Sequence, residues 1–134
     1  MILVTRKLEF CASHRLFNPE FSDTKNQEVF GLCNNPNGHG HNYTLEVTVK
    51  GDVDPETGMV LDLKYLKDLV NTEIVLKVDH KNLNVDVAEF KLLNPTVENL
   101  SFLAWQKLEK KLKNAKLHKV IVWENDRTYC SYAE

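Results

Sequence analysis

The segment His39-Gly40-His41-Asn42-Tyr43-Thr44-Leu45-Glu46-Val47-Thr48-Val49-Lys50 alternates between two chemistries. His39, His41, Tyr43, Leu45, Val47 and Val49 share one face of an extended strand, and Asn42, Thr44, Glu46, Thr48 and Lys50 take the other. The first face belongs to a core, and two histidines stand at its mouth. Directly upstream lies a polar loop, Cys33-Asn34-Asn35-Pro36-Asn37-Gly38, which sets a thiol six residues before His39.

Toward the N-terminus, Leu8, Phe10, Ala12 and His14 alternate with Glu9, Cys11 and Ser13, the signature of a second half-buried strand, with Met1-Ile2-Leu3-Val4 as the start of a strand. Residues 15 to about 37 lack sustained periodicity and read as a long functional loop. If the two strands pair antiparallel, the end of the first meets the start of the second. His14 then approaches His39 and His41.

Toward the C-terminus, Asp54-Pro55-Glu56-Thr57-Gly58 marks a turn, and Leu63, Leu66, Val70 and Ile74 recur at helical spacing behind Asp62 as the cap. Residues 77 to 95 read as a polar connection that opens with Asp79-His80. A second helix follows Pro95-Thr96 and buries Val97, Leu100, Ala104, Leu108 and Leu112, with Lys110, Lys111 and Lys113 in its last turns. Leu117 to Glu124, including His118, and Arg127 to Tyr132 read as two strands joined at Asn125-Asp126. The expected order is ββααββ in the α+β class: one domain over residues 1–134, with a four-stranded antiparallel sheet and two helices on one face. Its two open edges favour an oligomer built by edge pairing.

A chain of 134 residues can bury a core unaided, and its 43% hydrophobic and 27% charged residues are ordinary for a globular protein. A net charge of −2 gives no electrostatic basis for nucleic acid or a membrane as partner. Cys11, Cys33 and Cys130 are odd in number, and no leader or long apolar run is present, so the expected location is the cytoplasm.

A His-x-His pair on a strand points both rings to one side, with Cα atoms about 6.5 Å apart. With His14 as a third imidazole, the set matches a catalytic zinc that keeps its fourth position open, a Lewis acid for a bound oxygen. Cys33 lies where nearby positive charge favours its thiolate, the form that serves as base or nucleophile. Asp79-His80 offers a carboxylate to orient an imidazole that could take a proton from that thiol, within the chain or across a subunit boundary. Glu124, at a strand end, can hold a guanidine-like ring edge through two parallel hydrogen bonds. Glu98 is explained by the first turn of its helix.

Phe10-Cys11-Ala12-Ser13-His14-Arg15-Leu16, Cys33 through Tyr43, Asp54 through Val60, Asp79-His80-Lys81-Asn82-Leu83, Glu98-Asn99 and Glu124 together resemble the 6-pyruvoyl tetrahydropterin synthases of the tunnelling fold. The resemblance implies a zinc enzyme of tetrahydrobiopterin biosynthesis, a lyase that converts 7,8-dihydroneopterin triphosphate to 6-pyruvoyl-5,6,7,8-tetrahydropterin and triphosphate. It assigns His14, His39 and His41 to one zinc per subunit, Cys33 to proton transfer, and Asp79 and His80 to its activation. Glu124 would anchor the pterin, with Glu98 and Thr96 at the same site. Magnesium would enter with the triphosphate, whose binding cations fall among Arg15, Lys25, Lys81 and Arg127. The family assembles as a homohexamer, a dimer of trimers. Five residues between Cys33 and His39 look like the pyruvoyl synthases. The alternatives are a 6-carboxy-5,6,7,8-tetrahydropterin synthase of queuosine biosynthesis and a non-catalytic pterin- or zinc-binding module.

Overall fold

The computed structural model describes residues Met1–Glu134. In chain order its elements are β1 (Ile2–His14), α1 (Asp23–Phe30), β2 (His39–Gly51), α2 (Leu63–Val70), α3 (Leu76–Val78), β3 (Lys81–Asn82), α4 (Leu83–Asp86), α5 (Val97–Glu109), β4 (Lys116–Trp123) and β5 (Tyr129–Ala133). A π turn, Asn71–Val75, joins α2 to α3, and 3-10 turns occupy Gly31–Asn34 and Ala88–Lys91.

β1 and β2 pair antiparallel along their whole length, from Ile2 opposite Gly51 to His14 opposite His39. Their alternation therefore has the meaning the sequence assigns to it. Phe10, Ala12 and His14 from β1 and Tyr43, Leu45, Val47 and Val49 from β2 are buried together. Leu66, Val70, Ile74, Leu100, Ala104, Trp105 and Leu108 from the helical segments join the same core cluster, which places the two main helices on one face of the sheet. Asp62 caps α2 by accepting from the Lys64 amide at 2.8 Å.

The sheet has five strands rather than the expected four, in the order β3-β1-β2-β4-β5. The addition is the two-residue β3, which pairs parallel with Ala12 and Ser13. So short a strand has no alternation to read, because it is held by backbone pairing rather than by a buried face. The expected loop of residues 15–37 likewise contains α1, whose single buried residue is Asn26. Asn26 exchanges hydrogen bonds with the Asn18 backbone at 2.8 and 2.9 Å, and Ser22 caps the helix by accepting from the Lys25 amide at 3.1 Å. A helix anchored by an amide leaves no apolar periodicity. Residues 77–95 similarly contain β3, α4 and a 3-10 turn rather than one polar connection.

One burial and two boundaries also differ. Leu63 is 40% exposed although it shares the helical spacing of buried Leu66 and Val70. α5 ends at Glu109, so Lys111, Leu112 and Lys113 lie beyond it. The last strand begins at Tyr129, because Asn125 Oδ1 accepts from the Arg127 and Thr128 amides at 2.8 and 2.9 Å and extends the turn. β4 carries a bulge: Thr48 faces Lys119 and Val49 faces Leu117, leaving His118 as the extra residue. The bulge resets parity, so Leu117, Val120 and Val122 are all buried. No helix is long and apolar enough to cross a membrane.

Leu66 has no exposed surface whereas Leu63 lies at the rim. Leu66→Ala should lower unfolding free energy by about 2–5 kcal/mol, and Leu63→Ala by about 0.5 kcal/mol or less, as measured by chemical denaturation. Equal losses would contradict this packing.

Candidate active site

The site is built at the point where β1 ends and β2 begins. The register puts His14 opposite His39, and strand parity puts His41 on the same face. Their ring centroids are 4.7, 4.8 and 5.1 Å apart, a nearly equilateral triangle. One ligand nitrogen from each ring lies within 4.8 Å of the others. Gly38 makes this approach possible: its φ is +75°, and a Cβ there would sit 2.9 Å from the His14 carbonyl oxygen.

His14 is fully buried, and its Nδ1 lies 2.7 Å from the Pro95 carbonyl oxygen. A carbonyl only accepts, so Nδ1 carries the proton and Nε2 presents its lone pair to the other two rings. Phe10 stacks on Tyr43 at 4.9 Å, and the Tyr43 hydroxyl lies 3.3 Å from His14 Nδ1. Burial raises the Tyr43 hydroxyl pKa, and Glu124 adds to the effect, so the phenol stays neutral.

These residues fit a metal ion. Two nitrogens on one tetrahedral zinc stand about 3.3 Å apart, and His14 Nε2 and His39 Nε2 are 3.1 Å apart. His41 Nε2 is buried and makes no hydrogen bond, with the Glu124 carboxylate within ion-pair distance of it. Burial lowers the pKa of His14 and His41 below the ordinary imidazole value of 6.5, reinforced by the neighbouring rings. It is opposed at His14 by the Pro95 bond and at His41 by Glu124. Neutral rings are the metal-binding form.

Glu124 follows β4 and brings Oε1 to 3.3 Å from His41 Nε2, at the edge of the triangle. Thr96 caps α5, accepting from the Asn99 amide at 3.2 Å, directly after the Pro95 carbonyl that holds His14. Glu98 is exposed in the first turn of α5. Cys33 is half-buried in the turn before β2, and its carbonyl accepts from the Leu16 amide at 2.9 Å.

Asp79 and His80 pair with each other, Oδ1 to Nδ1 at 2.9 Å, but within the chain they gather beside Cys11, not Cys33. The Cys11 amide donates to Asp79 Oδ1 at 3.0 Å, the main cause that lowers the Asp79 pKa, with His80 adding to it. The Cys11 carbonyl accepts from the His80 amide at 2.6 Å, holding His80 at a φ of +59°. Non-glycine residues seldom adopt this left-handed conformation, histidine more often than most. A cleft of about 410 Å³ reaches from His41 to His80 and is lined also by Cys11 and Lys81.

Of the other candidate cations, Lys25 lies over the Phe21 ring at 4.0 Å. Arg127 is 91% exposed beside Asp126. Arg15 is bonded to Asn34 at 2.9 and 3.0 Å. Sequence reasoning missed Pro95, which acts through its backbone, and Cys11, whose strand parity alone marks a structural residue. No residue-type signal points to Pro95, and at Cys11 the only signal is a thiol on a strand.

A family model described as 6-pyruvoyl tetrahydropterin synthase matches residues 3–134. The chain belongs to the 6-pyruvoyl tetrahydropterin synthase family. It is 46% identical to the human 6-pyruvoyl tetrahydrobiopterin synthase over 129 residues, covering 96% of this chain and 89% of the relative. The Drosophila melanogaster synthase is 45% identical over 130 residues, covering 96% and 77%. The Caenorhabditis elegans 6-pyruvoyl tetrahydropterin synthase structure superposes with a TM-score of 0.94 at 40% identity, covering 99% of this chain and 95% of that one. The chain thus shares sequence and fold with this enzyme family along nearly its full length.

The depressed pKa values at His14 and His41 set the sign of a pH effect. Unfolded imidazoles take up protons near 6.5 while the folded ones resist, so low pH favours the unfolded chain. The metal-free chain should keep this contribution above about pH 7 and lose it as pH falls through 6.5 toward the lower folded-state values. Denaturation midpoints measured across pH 5–8 check this. Stability that rises as pH falls through that window would contradict it.

Proposed function

We propose that this chain is a zinc-dependent lyase that converts 7,8-dihydroneopterin triphosphate to 6-pyruvoyl-5,6,7,8-tetrahydropterin with release of triphosphate, in tetrahydrobiopterin biosynthesis. The observation that carries this is the triangle of fully buried His14 with half-buried His39 and His41, with Glu124 at its edge, in a chain 46% identical to the human synthase.

His14, His39 and His41 would hold the zinc. When bound, it supplies a Lewis acid that draws electron density from the substrate's side-chain oxygens and so acidifies the adjoining C–H bonds. The Cys33 thiolate accepts a proton from the side-chain carbon next to the ring and returns one elsewhere in the same molecule. No outside oxidant is needed: one side-chain alcohol becomes a ketone as the ring gains two hydrogens. Loss of the triphosphate converts the remaining alcohol and terminal carbon into a ketone and a methyl group. Glu124 accepts two hydrogen bonds from the guanidine-like edge of the pterin, fixing the side chain toward the histidines. Glu98 and Thr96 lie at the same end of α5 and complete the pterin pocket.

Asp79 and His80 form an oriented carboxylate–imidazole pair but do not meet Cys33 of their own chain. We place the relay between copies, with Asp79 and His80 of one subunit activating the thiol of another in a homohexamer made of two trimers. The exposed edges β3 and β5 are available for that assembly. Three free cysteines fit a cytoplasmic location, and magnesium would accompany the substrate triphosphate.

Incubation with 7,8-dihydroneopterin triphosphate should yield a product whose mass corresponds to a pyruvoyl side chain. Cys33→Ala should lower kcat about 10²–10⁴-fold while metal content is retained. A carboxylated product would assign the chain to the 6-carboxytetrahydropterin branch, and no turnover by the zinc-loaded protein would leave a binding module.

A further inference from the structure

Among the cations that could face the substrate's phosphates, Arg15 is the one whose side chain donates two hydrogen bonds within the chain. Its Nε donates to the Asn34 carbonyl at 2.9 Å and its Nη2 donates to Asn34 Oδ1 at 3.0 Å. The guanidinium lies over the Phe17 ring, 4.1 Å from the centroid. Two parallel bonds from one planar group to one residue fix both distance and orientation, which an ammonium cannot do.

The backbone of Arg15 is held as firmly. Its amide donates to Asn84 Oδ1 at 2.8 Å, and its carbonyl accepts from Asn84 Nδ2 at 2.9 Å. The next amide, Leu16, donates to the Cys33 carbonyl at 2.9 Å. Residues 15–16 are therefore bonded to residues 33–34 at three points, one residue beyond His14 on one side and at Cys33 itself on the other. Asn34 is only 8% exposed, and a buried amide with its acceptors unfilled would be unfavourable. Arg15 fills them.

We infer that Arg15 is a positioning residue: through its two-point grip on Asn34 it holds the Cys33 turn at a fixed distance from the histidine end of β1, and it does not bind the substrate's phosphates. The inference rests on the reading of Cys33 as the proton-transferring group. Proton transfer needs the thiol in contact with a carbon whose place is set by the histidines. A shift of about 1 Å in such an arrangement costs about a hundredfold in rate.

The test compares Arg15→Lys, Asn34→Ala and Cys33→Ala in the zinc-loaded full chain. Arg15→Lys keeps the charge and loses the fork; Asn34→Ala removes the Oδ1 acceptor, one of the grip's two points, from a residue with no charge to offer a phosphate, and leaves the backbone carbonyl bond to Nε. Both should lower kcat by about tenfold to a hundredfold with KM little changed. Both should also alter the iodoacetamide labelling rate of Cys33, located by peptide mass mapping. Overturning results are a raised KM with unchanged kcat in Arg15→Lys, or Cys33 labelling equal to the parent chain in both variants. The labelling rate needs no turnover. If Cys33→Ala were fully active, the reading of Cys33 as base would fail, while labelling would still decide whether Arg15 and Asn34 place the thiol.

Discussion

The antiparallel register that sets His14 opposite His39 is the constraint on which the rest of the site depends. Side chains alternate faces along a strand, so a slip of one residue would turn His14 away from His39 and His41 and would expose Phe10 and Ala12. The same parity that buries Tyr43, Leu45, Val47 and Val49 delivers the imidazoles. Core and site are consequently one design: the hydrophobic face fixes the register, and the register fixes the triangle.

A second layer orients the rings. The Asn94–Asn99 segment folds back on itself, with the Thr96 amide and Asn99 Nδ2 both donating to the Asn94 carbonyl, at 2.8 and 2.7 Å. This presents the Pro95 carbonyl to His14 and settles which of its nitrogens faces the other histidines. The start of α5 thus serves the histidine site through its backbone, and its packing on β4 and β5 anchors that contact in the core. On the opposite side, Asn84 and Asn34 secure the chain as it leaves β1. Asparagine recurs in these supports because its amide can both donate and accept, completing backbone groups that no strand or helix pairs.

The sheet core, the two main helices and the three histidines were legible from the amino acids because each rests on periodicity. What stayed hidden rests on other physics. α1 is held by Asn26 and a Ser22 cap, so it shows no apolar stripe. β3 is two residues of backbone pairing. The His118 bulge shifts parity in mid-strand, an event that composition does not announce. Pro95 contributes a carbonyl, which every residue possesses. The placement of Asp79 and His80 beside Cys11 depends on where the chain after α3 meets β1, a tertiary contact with no local signature.

If three imidazoles alone bind the metal, Cys33 is left free to move a proton. X-ray absorption at the zinc edge of the metal-loaded protein tests this directly. Three nitrogen neighbours at about 2.0–2.1 Å and a light-atom fourth neighbour, with no sulfur, are expected. A sulfur at about 2.3 Å would show that a cysteine is a ligand and contradict the division of labour proposed between the histidines and the thiol.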